Sequence, residues 1–451
     1  MQDISHIFRS YDIRGIYGKD LDEEIMRRIG NAFGQTAKTE TIVVARDMRL
    51  SSKSLKDAFI AGLASSGKNV VDVGLLPLGV GMFHAWQHKM EFAYITASHL
   101  PKEWNGVKFF HSGGIGYVDE ENFHVRDIFN EEEKKEKRGK LTKIPEAEAI
   151  DDYVNYVTSK VKLKKKVKVI LDCGNGMAGI IVKLLFKKAG ADAESIYGKL
   201  DGAFPNRNPE PAEDELKELR KQAKENDLGI AYDGDGDRML LVDEKGRKIT
   251  PEQTAYLLLT YVLNKENGPV VANVECTTVV DKITAKLGKK LIRFPVGHPY
   301  LVDCAKKNKA CFGMEFTGHY VVPSIFPFDD SLAISLLAAQ ALTESKKSLS
   351  EIADEIKMLP FKRINFESDD TEKFKVVDNL KTKFSQQYNN VNTMDGVRVD
   401  FSYGWILIRA SNTGPTIRLT MEADSDERLR SMEKEFSQLL KNEIKNSGYV
   451  M

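Results

Sequence analysis

Cysteine is scarce in this chain. Cys173, Cys276, Cys304 and Cys311 are the full set. None forms a Cys-x-x-Cys pair, and no histidine spacing completes a zinc site. That excludes a disulfide framework and a zinc ribbon, and it predicts reduced thiols in a cytoplasmic protein. Net charge is missing too, because 66 lysines and arginines balance 66 aspartates and glutamates. With no excess of either sign, neither nucleic acid nor an anionic membrane surface is expected as the main partner. The longest apolar stretches, near residues 332–342 and 256–263, are too short to span a bilayer. The opening Met1-Gln2-Asp3-Ile4-Ser5-His6 lacks the charged-then-apolar pattern of a secretory signal. What is present is 42% hydrophobic and 29% charged residues, the composition of an ordinary globular enzyme. A chain of 451 residues is expected to form three or four domains.

Three segments share one pattern: a short β-rich apolar run, a polar turn, then an amphipathic helix. The first is 41–45, followed by Arg46-Asp47-Met48-Arg49 and a helix over 54–65. The second is 167–171, followed by a turn over 172–179 and a helix over 180–189. The third is 270–274, followed by Glu275-Cys276-Thr277-Thr278 and a helix over 279–287. Such alternation predicts three related α/β domains with mixed or parallel sheets. Boundaries are placed near Ala149, near Thr250 and near Pro360. The domains are therefore 1–149, 150–250, 251–360 and 361–451. The last has strands over 406–409 and 417–422 and a helical tail over 427–444, which reads as a smaller α+β domain.

Chemistry concentrates in a few loops. Asp233-Gly234-Asp235-Gly236-Asp237-Arg238 carries carboxylates on alternate residues. In an extended segment these project to one side, and the glycines let the backbone curl. Clustered carboxylates repel one another without a counter-ion; Mg²⁺ relieves that and keeps positions open for phosphate oxygens. Arg238 adds a planar donor fork. The rival is an EF-hand ending at Glu244, but Arg238 stands where that loop needs glycine, and the flanks read as strands. The segment Thr96-Ala97-Ser98-His99-Leu100-Pro101 follows an apolar run over 92–95. Ser98 thus sits on a strand-end loop, where a reactive side chain can stand clear of its scaffold. Asn105-Gly106 predicts a hairpin turn, and Lys108 is a candidate proton carrier or phosphate contact.

Four motifs in order resemble those of the α-D-phosphohexomutase superfamily, closest to phosphomannomutase/phosphoglucomutase, over nearly the full length. They are the Ser98 loop, the 233–238 loop, Gly313-Met314-Glu315-Phe316-Thr317-Gly318-His319 and Arg409-Ala410-Ser411-Asn412-Thr413-Gly414-Pro415. The opening Phe8-Arg9-Ser10-Tyr11-Asp12-Ile13-Arg14-Gly15 is similar to the family's start. The resemblance implies four domains around a central cleft, each giving one motif. It implies that Ser98 is phosphorylated, with Ser98, Asp233, Asp235 and Asp237 enclosing Mg²⁺. Small hexose phosphates are the expected partners, with hexose 1,6-bisphosphate as intermediate and activator. Lys108 is the candidate general base, supported by Arg14 and His99. Tyr11, Arg238, His298, Glu315, Thr317, His319, Arg409, Ser411, Asn412, Thr413 and Arg418 are the candidate substrate contacts.

The residue chemistry agrees. Glu315 can accept from two neighbouring sugar hydroxyls, and Thr317 can donate or accept one. The loop over 409–413 offers a guanidinium, hydroxyls and an amide, and can aim backbone N–H groups at a phosphate. Arg418 either reinforces that site or pairs with Glu422. The chain departs from the family in three places. Thr317 replaces the usual serine, Pro299-Tyr300-Leu301-Val302 after Gly297-His298 lacks a lysine, and Glu275 stands where bacterial relatives often carry one. Asn412 and the Glu-x-Thr-Gly-His loop favour glucose and mannose phosphates over amino-sugar phosphates, but the departures leave the preferred hexose open, as is the oligomeric state. Two other readings compete. Gly174-Asn175-Gly176-Met177-Ala178-Gly179 satisfies the Gly-x-Gly-x-x-Gly fingerprint of a dinucleotide-dependent dehydrogenase. A catalytically silent sugar-phosphate binder is opposed by the retained serine, aspartates and arginine.

Overall fold

Apolar runs rich in valine and isoleucine become strands in four separate sheets of a computed structural model that describes residues 4–134, 138–369, 372–412 and 414–447. The first sheet holds β1 (Ile13–Ile16), β2 (Thr41–Arg46), β3 (Asn69–Leu75), β4 (Glu91–Ile95), β5 (Trp104–Phe110) and β6 (Leu141–Lys143) in the order β1-β5-β4-β2-β3-β6. The second holds β7 (Lys168–Asp172), β8 (Asp192–Ile196), β9 (Leu228–Tyr232), β10 (Met239–Val242) and β11 (Lys248–Ile249) in the order β11-β10-β9-β7-β8. The third holds β12 (Val270–Asn273), β13 (Leu291–Phe294), β14 (Phe312–Met314) and β15 (Tyr320–Val321) in the order β13-β12-β14-β15. In all three, a parallel centre is continued by an antiparallel strand at one side. The central strands, such as β4 and β12, are buried along their length, as expected of a sheet covered by helices on both faces. The fourth sheet, β16 (Phe361–Glu367), β17 (Val391–Asn392), β18 (Val397–Phe401), β19 (Gly404–Ala410) and β20 (Thr416–Ala423), is antiparallel throughout.

One apolar core runs through the first three units, joining Val43 and Phe83 to Leu171 and Ile230 and on to Leu258, Phe312 and Leu336. The helix Ser331–Glu344 lies within it and is apolar on nearly every side, the composition of a helix with no solvent face. The fourth unit keeps its own core. Its long helix, Asp426–Asn446, buries Leu429, Met432, Phe436, Leu440 and Ile444, a stripe at three- and four-residue spacing. A small apolar patch of Val274, Val296, Trp405 and Leu407 joins this unit to the third.

Ala149, the expected first boundary, falls inside the helix Glu146–Lys160. Thr250 caps the helix Pro251–Tyr261 through a reciprocal bond with Gln253, and Pro360 immediately precedes β16. The predicted hairpin turn at Asn105-Gly106 is not one: both residues lie inside β5, paired with Gly15 and Arg14 of β1. A Cβ on Gly106 would stand 1.9 Å from the Ile13 carbonyl oxygen. Glycine is there for close strand approach, not for a turn. Among the described residues, no helix is long and apolar enough to cross a membrane.

Candidate active site

β4 ends at Ile95, and three residues later Ser98 has φ +51°, a left-handed conformation that costs an L side chain energy. The surroundings over-determine it. Thr96 Oγ1 accepts from the Ser98 N–H at 2.8 Å. Arg49, wholly buried, donates to the carbonyls of Ser98 at 2.8 Å, Leu100 at 2.6 Å, Pro101 at 2.6 Å and Trp104 at 3.0 Å. Asp47 holds Arg49 at 3.1 Å and takes the Thr96 hydroxyl at 2.8 Å. Asp47 and Arg49 are therefore the scaffold of the serine loop. In the sequence they read only as a polar turn after β2.

The aspartate loop joins β9 to β10, an antiparallel pair with Met239 opposite Tyr232. Strands on both sides rule out the helix–loop–helix of an EF-hand. Gly234 sits so close to the serine loop that a Cβ there would lie 2.4 Å from the Ser98 carbonyl oxygen. On its other side, the Met177 N–H donates to the Gly234 carbonyl at 2.9 Å, and a Cβ on Gly176 would press on that carbonyl at 2.8 Å. The Gly-x-Gly-x-x-Gly segment is thus used to pack against the aspartate loop. Gly234→Ala is expected to push the two loops apart by about an ångström and cut kcat roughly 100-fold. The thermal midpoint should move by only a few degrees, so steady-state kinetics beside a melting curve checks it.

The two loops converge. Ser98 Oγ lies 3.1 Å from Asp233 Oδ2 and 3.3 Å from His99 Nδ1. Carboxylate oxygens of Asp233, Asp235 and Asp237 lie within 4.8 Å of one another, all buried. Lys108 Nζ stands 3.1 Å from Asp235 Oδ2 and 2.7 Å from Asp237 Oδ2. Burial, with Asp237 and Asp235 beside it, pushes Asp233 well above the usual carboxylate range. Burial works the same way on Asp237, but Lys108, with Arg238 nearby, outweighs it and holds that carboxyl well below. Burial opposes the charge on Lys108, and Asp235 and Asp237 more than restore it, so the amine is an ammonium in this arrangement. Asp235 Oδ1 and Asp237 Oδ1 are buried with no hydrogen-bond partner among the described residues. Buried acceptors without donors in an all-oxygen cluster fit a hard divalent cation.

A second grouping, Asp237 with His319 and Asp329, is equally tight, but both ring nitrogens of His319 are engaged. Nδ1 lies 2.8 Å from Asp329 Oδ2, and Nε2 accepts from Arg238 Nε at 2.9 Å. It is a hydrogen-bonded chain that orients Arg238.

Every candidate substrate residue except Thr413, which lies outside the described residues, borders one cleft. Tyr11, Arg14, His99 and Lys108 come from the first unit and Arg238 from the second. The third contributes His298, Glu315, Thr317 and His319, and the fourth Arg409, Ser411, Asn412 and Arg418. Glu315 Oε1 accepts from Asn273 Nδ2 at 2.9 Å and from the Gly297 N–H at 2.8 Å, which fixes the carboxylate while Oε2 accepts nothing from the described residues. Arg14 pairs with Asp12 at 2.7 Å. Its Nη1, His298 Nε2 and Arg409 Nη2 are buried without a hydrogen-bond partner among the described residues. Arg409 Nε is held by Asp395 at 3.1 Å. Arg418 donates to Asn365 at 3.0 Å; Glu422, the alternative partner, instead receives the Thr278 N–H at 3.0 Å. Burial and the neighbouring Arg363 pull the Arg418 guanidinium down to about 10. Glu210 and Arg363 also line the cleft, and nothing local in the sequence marked them.

The four units match, in chain order, the models for phosphoglucomutase/phosphomannomutase: alpha/beta/alpha domain I over residues 5–136, domain II over 151–246, domain III over 250–359 and the C-terminal domain over 341–439. The chain belongs to the phosphoglucomutase/phosphomannomutase family. It is 32% identical over 449 residues to the phosphomannomutase/phosphoglucomutase of Pseudomonas putida, covering 97% of this chain and 96% of that one. It is 31% identical over 440 residues to a probable phosphoglucosamine mutase of Methanopyrus kandleri, covering 96% and 97%. The crystal structure of a phosphoglucomutase/phosphomannomutase family protein from Burkholderia thailandensis superposes with a TM-score of 0.88 at 29% identity, covering 98% of both chains. This protein is therefore a phosphohexomutase, an isomerase-type enzyme whose cleft is assembled from all four domains. Relatives of equal similarity carry different sugar names, so identity alone does not choose the hexose.

Proposed function

We propose that this phosphohexomutase interconverts hexose 1-phosphate and hexose 6-phosphate, of mannose or glucose, through a phosphoserine at Ser98 and a hexose 1,6-bisphosphate. The observation that supports the carrier role is Ser98 Oγ, held on a strained loop 3.1 Å from the first of three clustered aspartates. Asp233, Asp235 and Asp237 would hold Mg²⁺, which when bound offsets negative charge on the transferring phosphoryl group.

The chain's own residues do the rest. A sugar hydroxyl oxygen attacks the phosphorus on Ser98; the new O–P bond forms as the P–Oγ bond breaks. The hydroxyl proton must leave, and Oγ must be neutralised. Lys108 is an ammonium only while Asp235 and Asp237 face it; once they are engaged elsewhere, burial favours the neutral amine, which can take the hydroxyl proton and pass it on to neutralise Oγ. His99 Nδ1, 3.3 Å from Oγ, is kept neutral by burial and by the Arg238 and Arg14 charges, so it supports the site as a hydrogen-bond partner of Oγ rather than as a base. Arg238 is oriented by His319 to bind phosphoryl oxygens. The bisphosphate then turns end for end and returns its other phosphate to Oγ. Glu315 and Thr317 grip a few hydroxyls, which both orientations can satisfy, while Arg409, Ser411, Asn412 and Arg418 hold the phosphate that is not reacting.

Glucosamine phosphate is the second reading, favoured by the name of the Methanopyrus relative. Catalytic efficiencies on glucose 1-phosphate, mannose 1-phosphate and glucosamine 1-phosphate decide between them; the proposal expects the first two to exceed the third. Arg409→Ala is expected to raise KM for hexose phosphates by roughly 10- to 100-fold, the scale of one charge-assisted contact. Binding of the free hexose should stay within about twofold, since a free sugar offers that guanidinium no charge. Equal losses for both ligands would remove the phosphate clamp from the mechanism.

A further inference from the structure

We infer that Glu275 is a positioning residue that sets the strength of the phosphate grip: a buried counter-charge that weakens the hold of Arg363, Arg409 and Arg418 enough for each phosphate to be released once per turnover. The inference rests on the proposed reading of the cleft.

The fourth sheet puts like charges side by side. In its register Arg409 stands opposite Arg418, and Arg363 stands opposite Thr420. Directly opposed like charges destabilise a sheet, so this arrangement needs an anion. Glu275 supplies it from another unit, just past β12 of the third sheet. It is fully buried. Its Oε1 lies 3.1 Å from Arg363 Nε and accepts from Thr420 Oγ1 at 3.1 Å. Its Oε2 is buried and has no hydrogen-bond partner among the described residues. Burial works to raise this carboxyl, but Arg363, Arg418 and Arg409 outweigh it and hold it ionised.

A carboxylate and a phosphate compete for the same donor forks. Every interaction Glu275 makes with the three guanidiniums is therefore weakened when a phosphate enters, and the phosphate is held less tightly than three free arginines would hold it. An enzyme whose intermediate must let go, rotate and be gripped again gains nothing from a grip that is equally tight in ground and transition states. A carboxylate with one oxygen lacking a fixed donor is a costly choice for holding two domains together; as a brake on the clamp it has a purpose.

The test is Glu275→Gln, which keeps the shape and can still receive Thr420. The inhibition constant of inorganic phosphate and KM for glucose 1-phosphate are each expected to fall by roughly tenfold, and kcat to fall with them, because the removed charge competes with the ligand and not with the reaction. A residue that only braces the interface would instead give a raised KM. Unchanged or weaker phosphate binding, or tighter binding with unchanged kcat, overturns the inference. Should Glu275→Gln fold poorly, Arg363→Gln is compared with the Arg363→Gln, Glu275→Gln double variant, in which the directly paired charges are removed together. The double variant is expected to bind phosphate more tightly than Arg363→Gln alone, and equal or weaker binding overturns the inference. If Arg409→Ala leaves phosphate-ester binding intact, the clamp reading itself fails. If Arg409→Ala weakens binding while Glu275→Gln does not tighten it, the inference about Glu275 alone fails.

Discussion

Ser98→Ala is expected to lower mutase turnover by about 10⁴-fold or more, because no other group can replace a covalent phosphoryl carrier whose loss leaves only binding and electrostatics. The neighbours offer no substitute. Thr96 Oγ1 is bonded to Asp47 and to the Ser98 N–H, so its hydroxyl is already committed. The fold should survive. Alanine has the same Cβ as serine at this left-handed position, so the backbone cost is unchanged, and the lost hydrogen bond to Asp233 is worth only about 1 kcal/mol. A coupled assay on glucose 1-phosphate with trace bisphosphate reads the activity, and circular dichroism reads the fold. Intact-mass measurement of the wild type should find a phosphoryl group that maps to Ser98 and is missing from the variant. Turnover within tenfold of wild type would end the phosphoserine mechanism.

What the sequence disclosed about this site follows from how local each part is. The three aspartates occupy alternate residues of one hairpin, so their convergence needs only β9, β10 and two glycines. Both flanking strands were readable as apolar runs. The same holds for Glu315 and His319 on either side of a short turn, where the Glu315 N–H bonds to the His319 carbonyl at 2.9 Å. Residues that act across the chain left no such trace. Arg49 holds the serine loop from 49 residues away, and Asp329 sets His319 through a separate loop. Arg363 reaches the cleft from the edge strand of the last sheet. Asn105-Gly106 was misread because a turn signal and a close-approach glycine look alike until the partner strand is known. His99 follows Ser98 directly in sequence, and the left-handed turn at Ser98 brings its ring to hydrogen-bonding distance of Oγ.

Removing divalent cations with a chelator is expected to cut kcat by roughly 10³-fold or more, with recovery on adding Mg²⁺, since positioning and charge neutralisation supply most of the catalysis in phosphoryl transfer. Stability should respond differently, and the difference isolates the role of Lys108. In wild type the Lys108 ammonium sits within 3.1 Å of two of the three aspartates, so chelation leaves those carboxylates paired and the thermal midpoint should fall by only a few degrees. Lys108→Met removes that ammonium. Stripped of its cation, this variant keeps three buried carboxylates with no ammonium among them, a loss of about 3–5 kcal/mol. Its midpoint should drop by roughly 10 °C on chelation and recover with Mg²⁺. The pH dependence has a definite sign. Asp233 is pushed up by burial and by Asp237 and Asp235, so proton and cation compete for it, and Mg²⁺ affinity should rise with pH. Equal melting responses of wild type and Lys108→Met to the chelator would show that the cation binds elsewhere, and the aspartate hairpin would lose its place in the reaction.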